Sequence, residues 1–600
     1  MKAEGSADAN PTVVFVPYDV VFSDGPATFG KFKQVMRLLS LTDTLFWCAR
    51  LNLILADPGL EEKAKQQRVL DLFFTEEQIQ AVNEFAKAYG GADRVGVINR
   101  GTLLELIRWT CLLSSDHPED GETFNRPEMR NAFVRALLMG NEFWGQRMYP
   151  DNVFGKGETI EEKRRNALPI TRQVMMETLT HPRPYEALAR GRTLFKDFMP
   201  SHCIGFHSAF RDSTGISIDD YYDCATMFLS QCMNTEIKSG VGSDTESGIF
   251  TFDACINAAP NMDKKFMAYF NLQSCTVDEV RDGIWRKTLE PHSYVNEYNL
   301  KALRERPILV ASRDRRIIMD PLLYVEQQSI GPLFHLMRNR SKKDGNALTE
   351  SFGHAFEDYV GSILGRIYPY GGSHLAKRLY CNVQDEADKS IQIADFALDG
   401  FSDLIMIETK TAFVPDDKVD RRCVDSYLNC LHQRYRGDAG KKKGYGQLAR
   451  SLWMLSSEKW KPADIDISRI KRIFPVLLVH DHLLDASLHC WYFALDFKTE
   501  LEPDAIEPGE WMLKGRFHVA PLVVMTIDDL ECLESSLGKF TLIELLTAYS
   551  AATPDRLVSL HNFMAVNSER FPLVRNKILA SGASEMLKEC MQRLFPDQKN

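Results

Sequence analysis

Glu408 and Lys410 close a segment, Leu404-Ile-Met-Ile-Glu-Thr-Lys, that otherwise reads as a buried strand. Side chains alternate across a strand, so Glu408 and Lys410 share a face with Leu404 and Met406, while Ile405, Ile407 and Thr409 take the other. A carboxylate and an ammonium at the end of an apolar strand are costly to bury without a task. Asp395 interrupts a second apolar run, Ile391-Gln-Ile-Ala-Asp-Phe-Ala-Leu, and Asp399-Gly-Phe-Ser between the two runs reads as a hairpin turn. Upstream, a helix over 350–367 aligns Phe352, Phe356, Tyr359, Val360, Ile363, Leu364 and Ile367 on one stripe. At about 100° per residue, Glu357 falls on the border of that stripe and Asp358 points away from it. Carboxylates in this number can hold Mg²⁺, a hard cation that prefers oxygen and keeps several waters. Such an ion acidifies a bound water and neutralises charge developing on a phosphate. Lys410 is then the group that orients the water, helps deprotonate it or stabilises the transition-state charge.

With those residues in that order, the chain resembles the PD-(D/E)xK nuclease superfamily, the restriction-endonuclease-like proteins. The family's pattern is an acidic helix residue, then an Asp, then (D/E)xK across a hairpin, followed by a helix and a further strand. The matching residues are Glu357 in GHAFEDYV, Asp395 in QIADF, and Glu408 with Lys410 in IETK. Ala394 stands where the family's motif has a proline, a departure shared by many members. The resemblance covers roughly 345–530 and implies a sheet core flanked by helices, with Mg²⁺-dependent phosphodiester hydrolysis in which Mn²⁺ can substitute. It assigns metal binding to Glu357, Asp395 and Glu408. Several branches of the family carry a glutamine on the following helix near the metal, which makes Gln447 a candidate, although Ser451 stands where one branch has a tyrosine.

The segment 421–450 holds Arg421, Arg422, Arg434, Arg436, Lys441, Lys442, Lys443 and Arg450 against two acids, Asp425 and Asp438. Tyr427, Tyr435 and Tyr445 are interleaved, a composition suited to phosphate and base contacts, with a solvated loop as the bland alternative. Gly446-Gln447 opens a helix, 473–479 and 522–525 read as strands, and Thr526-Ile-Asp-Asp as a capped helix start. A rival triplet, Asp496-Phe-Lys498, closes a run over 490–498 that reads as a strand, with Asp485 upstream. It lacks the surrounding acidic helix. Asp481 with His480 and His482 reads as the polar end of a strand rather than a ligand set. No HExxH, Walker loop, GxSxG elbow or zinc-like cysteine spacing occurs, and Gly444-Tyr-Gly-Gln-Leu-Ala follows lysines rather than a strand.

The expected architecture is α+β and multidomain: a largely helical N-terminal domain, then an α/β restriction-endonuclease-like core, then a helical C-terminal tail. The divisions are an N-terminal segment at 1–28, a helical recognition or regulatory domain at 29–305 and a connection at 306–344. The nuclease-type domain at 345–530 and a helical region at 531–600 follow. Within 11–22 the apolar runs read as strand, 32–55, 76–88 and 101–113 as helices, and Pro127 and Ser217 as helix starts. A strand pair is expected around Ser312-Arg-Asp-Arg, and the polar stretch from Ser341 to Asn346 is the clearest boundary.

A chain of 600 residues with 44% hydrophobic and 26% charged residues is long enough for several domains with real cores. Its net charge of −10 argues against a wholly basic coat but leaves local phosphate-binding patches open. Scattered cysteines, no CxxC pair and no apolar run of membrane length lead to the expectation of a cytoplasmic protein with no membrane contact. The expected partner is nucleic acid, DNA ahead of RNA, with a homodimer or an activating protein partner as the route to controlled cutting. The expected activity is a DNA endonuclease in defence against foreign DNA. A repair or processing nuclease and a non-catalytic nucleic-acid-binding protein retaining the fold are the alternatives.

Overall fold

Apolar residues at helical spacing dominate the first third of the chain, and side-chain caps mark where several of its helices begin. The computed structural model describes residues 14–594 except 58, 116–125, 149–156, 158, 179–182, 234–248, 252–254, 256–258, 260–261, 286–299, 312–314, 339, 369–377, 416–418, 420–423, 439 and 537–538. The run read as one helix over 32–55 is two, Phe29–Leu38 and Leu41–Ala56. Leu39 turns extended between them, and the Ser40 hydroxyl accepts from the Asp43 N–H to start the second. Thr75 and Gln78 form a reciprocal capping box at Glu76–Ala88, and Asn99 caps Arg100–Leu113. The Ser217 hydroxyl accepts from Asp220 N–H at the start of Ile218–Met233, as its sequence predicts.

Among the described residues the strand expected within 11–22 is β1, Val14–Phe15, which pairs in parallel with β2, Val95–Gly96. Pro17 ends it: its fixed φ starts a helical turn, Tyr18–Val21, whose first N–H is taken by the Glu142 carboxylate at 2.7 Å. A four-stranded sheet follows in the order β3-β6-β5-β4, made of β3 (Ile249–Thr251), β4 (Ser274–Thr276), β5 (Ile308–Val310) and β6 (Arg315–Ile318). The expected pair is β5 with β6, antiparallel; its proposed turn at 312–314 lies outside the described residues, and β3 and β4 were not anticipated.

The polar stretch from Ser341 to Asn346 is not an open loop. Ser341 caps the 26-residue helix Lys342–Ile367, accepting from Asp344 N–H, and the stretch forms its first turns. The buried face of that helix joins a core that also takes residues from 187–336 upstream and from 540–590 downstream.

A mixed seven-stranded sheet occupies the remainder. An antiparallel meander of β7 (Arg378–Gln384), β8 (Gln392–Asp399) and β9 (Asp403–Lys410) runs onto β10 (Arg472–Val479), which is parallel to β9. The other edge of β10 meets β12 (Phe517–Val519), itself paired with β11 (Trp511–Leu513), and then β13 (Val523–Thr526). Strands β9 and β10 are apolar on both faces because both are covered. Ile405 and Ile407 pack toward Phe356 and Val360, whereas Leu404 and Met406 pack toward Leu448 and Leu452. The run over 490–498 is helical, within Ser487–Leu501, because Trp491, Tyr492, Phe493, Ala494 and Phe497 are buried all round rather than on alternating sides. No helix among the described residues is long and apolar enough to cross a membrane.

Candidate functional site

Glu357, Asp395, Glu408 and Lys410 come from three elements that meet at one end of the large sheet. The hairpin register, with Phe396 opposite Ile407, brings Asp395 level with the end of β9. Asp395 is buried, and both its oxygens are held: Oδ1 accepts from Gln392 Nε2 at 2.9 Å, and Oδ2 from Thr409 N–H at 2.7 Å and Thr409 Oγ1 at 2.8 Å. The Glu408 side chain is only 2% exposed, and its Oε1 lies 2.8 Å from Lys410 Nζ. The Glu408 carboxyl is raised to about 8, chiefly by burial and also by Asp395 and Glu357, against the pull of Lys410. Lys410 is half-buried, and although desolvation lowers it, the three carboxylates hold its ammonium above its usual value. These directions agree: the cluster is short of positive charge.

Glu357 sits on the border its sequence predicts, with its side chain 33% exposed and His354 Nδ1 3.3 Å from Oε2. Burial and Asp395 raise its carboxyl, against the pull of His354 and Lys410. Asp358 points elsewhere and pairs with His202 Nε2 at 2.7 Å. The chemistry of this donor set fits a hard divalent cation, because Asp395 raises the carboxyls of both Glu357 and Glu408 and a shared positive charge would offset that. The three carboxylates do not converge on a point, since Glu408 faces Lys410 and Asp395 faces Thr409. Among the described residues, the one set of three metal-type ligands within 4.8 Å of one another is Asp485, Asp529 and His561.

Thr409 and Gln392 are the partners that sequence reading missed. Thr409 lies on the strand face opposite Glu408 and Lys410, and its N–H and hydroxyl reach Asp395 across the hairpin, a contact no local spacing encodes. His480 follows β10, and its N–H donates to Lys410 O at 3.1 Å. Its ring packs among Phe352, Phe356 and Phe413, where burial lowers its imidazole to about 3. Asp481 pairs with Arg172 at 2.8 Å and His482 with Glu326 at 3.2 Å, so this trio is the polar strand end expected of it.

Gln447 is engaged at the start of Tyr445–Ser456, where its Oε1 accepts from Gly444 N–H at 3.0 Å. Gly444 adopts φ +48°, and a Cβ there would lie 2.5 Å from the Tyr435 carbonyl oxygen. The expected aromatic interleaving of the basic segment does not survive. Tyr427, Tyr435 and Tyr445 are fully buried, with their hydroxyls on His489, the Ala412 carbonyl and Asp496. They fill the inner face of the segment and cannot stack on bases. Arg436 lies 3.4 Å from both Asp496 and Glu500, Lys442 pairs with Glu500, and Lys443 donates to the Gln433 carbonyl at 3.1 Å. Arg434 is half-buried and Lys441 exposed, while Arg421 and Arg422 lie outside the described residues. The rival pair dissolves: Asp496 receives the Tyr445 hydroxyl at 2.6 Å, and Lys498 lies over the Trp511 ring.

Comparison of the chain with protein-family models, with curated proteins and with solved structures gave no match.

Proposed function

We propose that this chain is a metal-dependent nuclease of the PD-(D/E)xK type, acting on DNA as an endonuclease in defence against foreign DNA. The observation that carries the reading is the pairing of buried Glu408 with Lys410 at the end of β9, with Asp395 and Glu357 both acting on the Glu408 carboxyl. The order of a helix, an antiparallel meander, the Tyr445–Ser456 helix and parallel β10 supports a restriction-endonuclease-like core. Bound Mg²⁺, or Mn²⁺ in its place, would supply an acidified water and neutralise phosphate charge, held by Glu357, Asp395 and Glu408. Thr409 and Gln392 hold the Asp395 carboxylate in place at the end of the hairpin. Lys410 orients the attacking water and meets the charge that builds on the phosphate. DNA is preferred over RNA because the family that the motif resembles acts mostly on DNA. Control of cutting would come from a homodimer or an activating partner in the cytoplasm.

The test is cleavage of supercoiled plasmid, linear duplex, single-stranded DNA and RNA with Mg²⁺, Mn²⁺ or EDTA, beside Glu408→Gln and Lys410→Ala. Cleavage that needs metal and falls by roughly a hundredfold or more in both variants supports the reading. Cutting that persists in both variants removes the site. Binding of nucleic acid by wild type and variants alike, with no cutting, favours the non-catalytic alternative.

A further inference from the structure

Three residues that the nuclease reading does not use meet where β10 runs into the helices behind it. Asp485 follows the short turn His482–Leu484, Asp529 lies in the first turn of the helix Ile527–Ser536, and His561 lies on Leu560–Val566. Each offers a ligand atom, and these atoms all lie within 4.8 Å of one another. Asp529 is fully buried; its Oδ2 accepts from Thr526 N–H and Oγ1, and its Oδ1 lies 3.0 Å from His561 Nδ1. Asp485 Oδ2 accepts from Ser559 Oγ at 3.2 Å, while Asp485 Oδ1 is buried with no hydrogen-bond partner. Leaving a carboxylate oxygen buried and unpaired is expensive, and a second carboxylate beside it raises the cost.

The nearby cations serve other groups. Arg190 is on Asp528 and Glu531, and Arg556 donates to the carbonyls of Pro521, Leu522 and Thr553. Among the described residues, no lysine or arginine forms an ion pair with Asp485 or Asp529. The His561 side chain is 39% exposed, which leaves an open approach from solvent.

We propose that Asp485, Asp529 and His561 form a binding site for a divalent transition metal, Zn²⁺ by the nature of its ligands. One imidazole nitrogen with two carboxylate oxygens suits Zn²⁺, whereas Mg²⁺ and Ca²⁺ favour an all-oxygen shell. Ligand atoms this close can reach Zn²⁺ at about 2.0–2.2 Å by side-chain rotation. An ion there satisfies Asp485 Oδ1, offsets the paired charges and clasps the end of the central strand to two later helices. The site is independent of the nuclease reading and stands if that reading fails.

The experiment is zinc uptake by chelator-stripped full-length protein, counted by elemental analysis after gel filtration, with melting temperature followed as Zn²⁺ is added. His561→Ala and Asp485→Asn are compared with their parent in a Glu408→Gln background, so that a cation at the end of β9 is not counted. The first variant alters a partly exposed side chain and the second is isosteric, so both are expected to fold. The expected result is about one tightly held zinc in the parent, roughly tenfold weaker binding or worse in each variant, and a concentration-dependent rise in melting temperature confined to the parent. Equal uptake by parent and variants overturns the proposal. So does no uptake at micromolar Zn²⁺, with melting temperatures that follow pH alone; the carboxylates would then share a proton.

Discussion

A carboxylate buried beside two others can avoid part of its charge penalty by keeping its proton, and Glu408 is placed to do so. Burial and its neighbours raise the folded-state group from the usual 4.5 to about 8, so the folded protein binds this proton more tightly than the unfolded chain does. The stabilisation is fully present below pH 4.5 and is lost as pH rises toward 8. Without divalent metal, wild type should therefore lose stability across that window relative to Glu408→Gln, by on the order of a few kcal/mol at pH 8. Urea melts at pH 5, 6.5 and 8 measure the divergence, and parallel curves would show that Glu408 does not titrate there. A cation and a proton compete for the same group, so the Mg²⁺ concentration giving half-maximal cleavage should fall as pH rises.

At the scale of elements, what the chain discloses depends on whether a signal is local. Capping residues are local, and Ser217 and Thr526 start their helices as their sequences predict. The β8–β9 hairpin and the border position of Glu357 follow from alternation and helical spacing alone. The helix Ser487–Leu501 was misread because an apolar run buried on all sides carries no period that separates strand from helix. Burial of Tyr427, Tyr435 and Tyr445 was illegible for another reason: their hydroxyl partners include residues some fifty or more positions away, His489 and Asp496. Gln447→Ala should cost about 1 kcal/mol through the lost cap at Gly444, with cleavage nearly unchanged, as urea melts and plasmid assays would report. A loss of activity larger than the loss of stability would instead give Gln447 a role at the metal. Gly444→Ala should cost about 2 kcal/mol or more, because a left-handed backbone and a carbonyl at 2.5 Å oppose a Cβ.

Across the whole molecule, buried ion pairs join parts of the chain that sequence reading assigned to separate units. Arg172 on Ile160–Thr178 holds Asp481, Arg190 on Pro184–Thr193 holds Asp528 and Glu531, and Arg100 holds Asp320 through two hydrogen bonds. Asp481 adjoins His480, whose N–H secures the carbonyl of Lys410, so the upstream helices brace the end of the sheet where the carboxylates meet. Arg172→Ala takes the arginine from the buried Asp481, leaving it the Leu483 N–H, and should cost about 3 kcal/mol. Cleavage should fall with it even where the variant remains folded, as activity and circular dichroism at 20 °C would reveal.

The divided edge of β10 has a further use. Ile473 and Pro475 direct their polar groups to the same edge, where Ile473 O accepts from Ala520 N–H, so the N–H that Pro475 lacks falls where partnership passes from β12 to β13. In the sheet the β11–β12 hairpin pairs with two residues of β10, and its tip, where Lys514 donates to Ser457 and Arg516 to the Leu455 carbonyl, turns at Lys514 and Gly515, both at positive φ. Because β13 and β9, not β12, flank the half of β10 nearest the carboxylates, this tip is a natural port: an epitope or fluorophore spliced in after Gly515 could tag the protein without breaking the pairing beside the site.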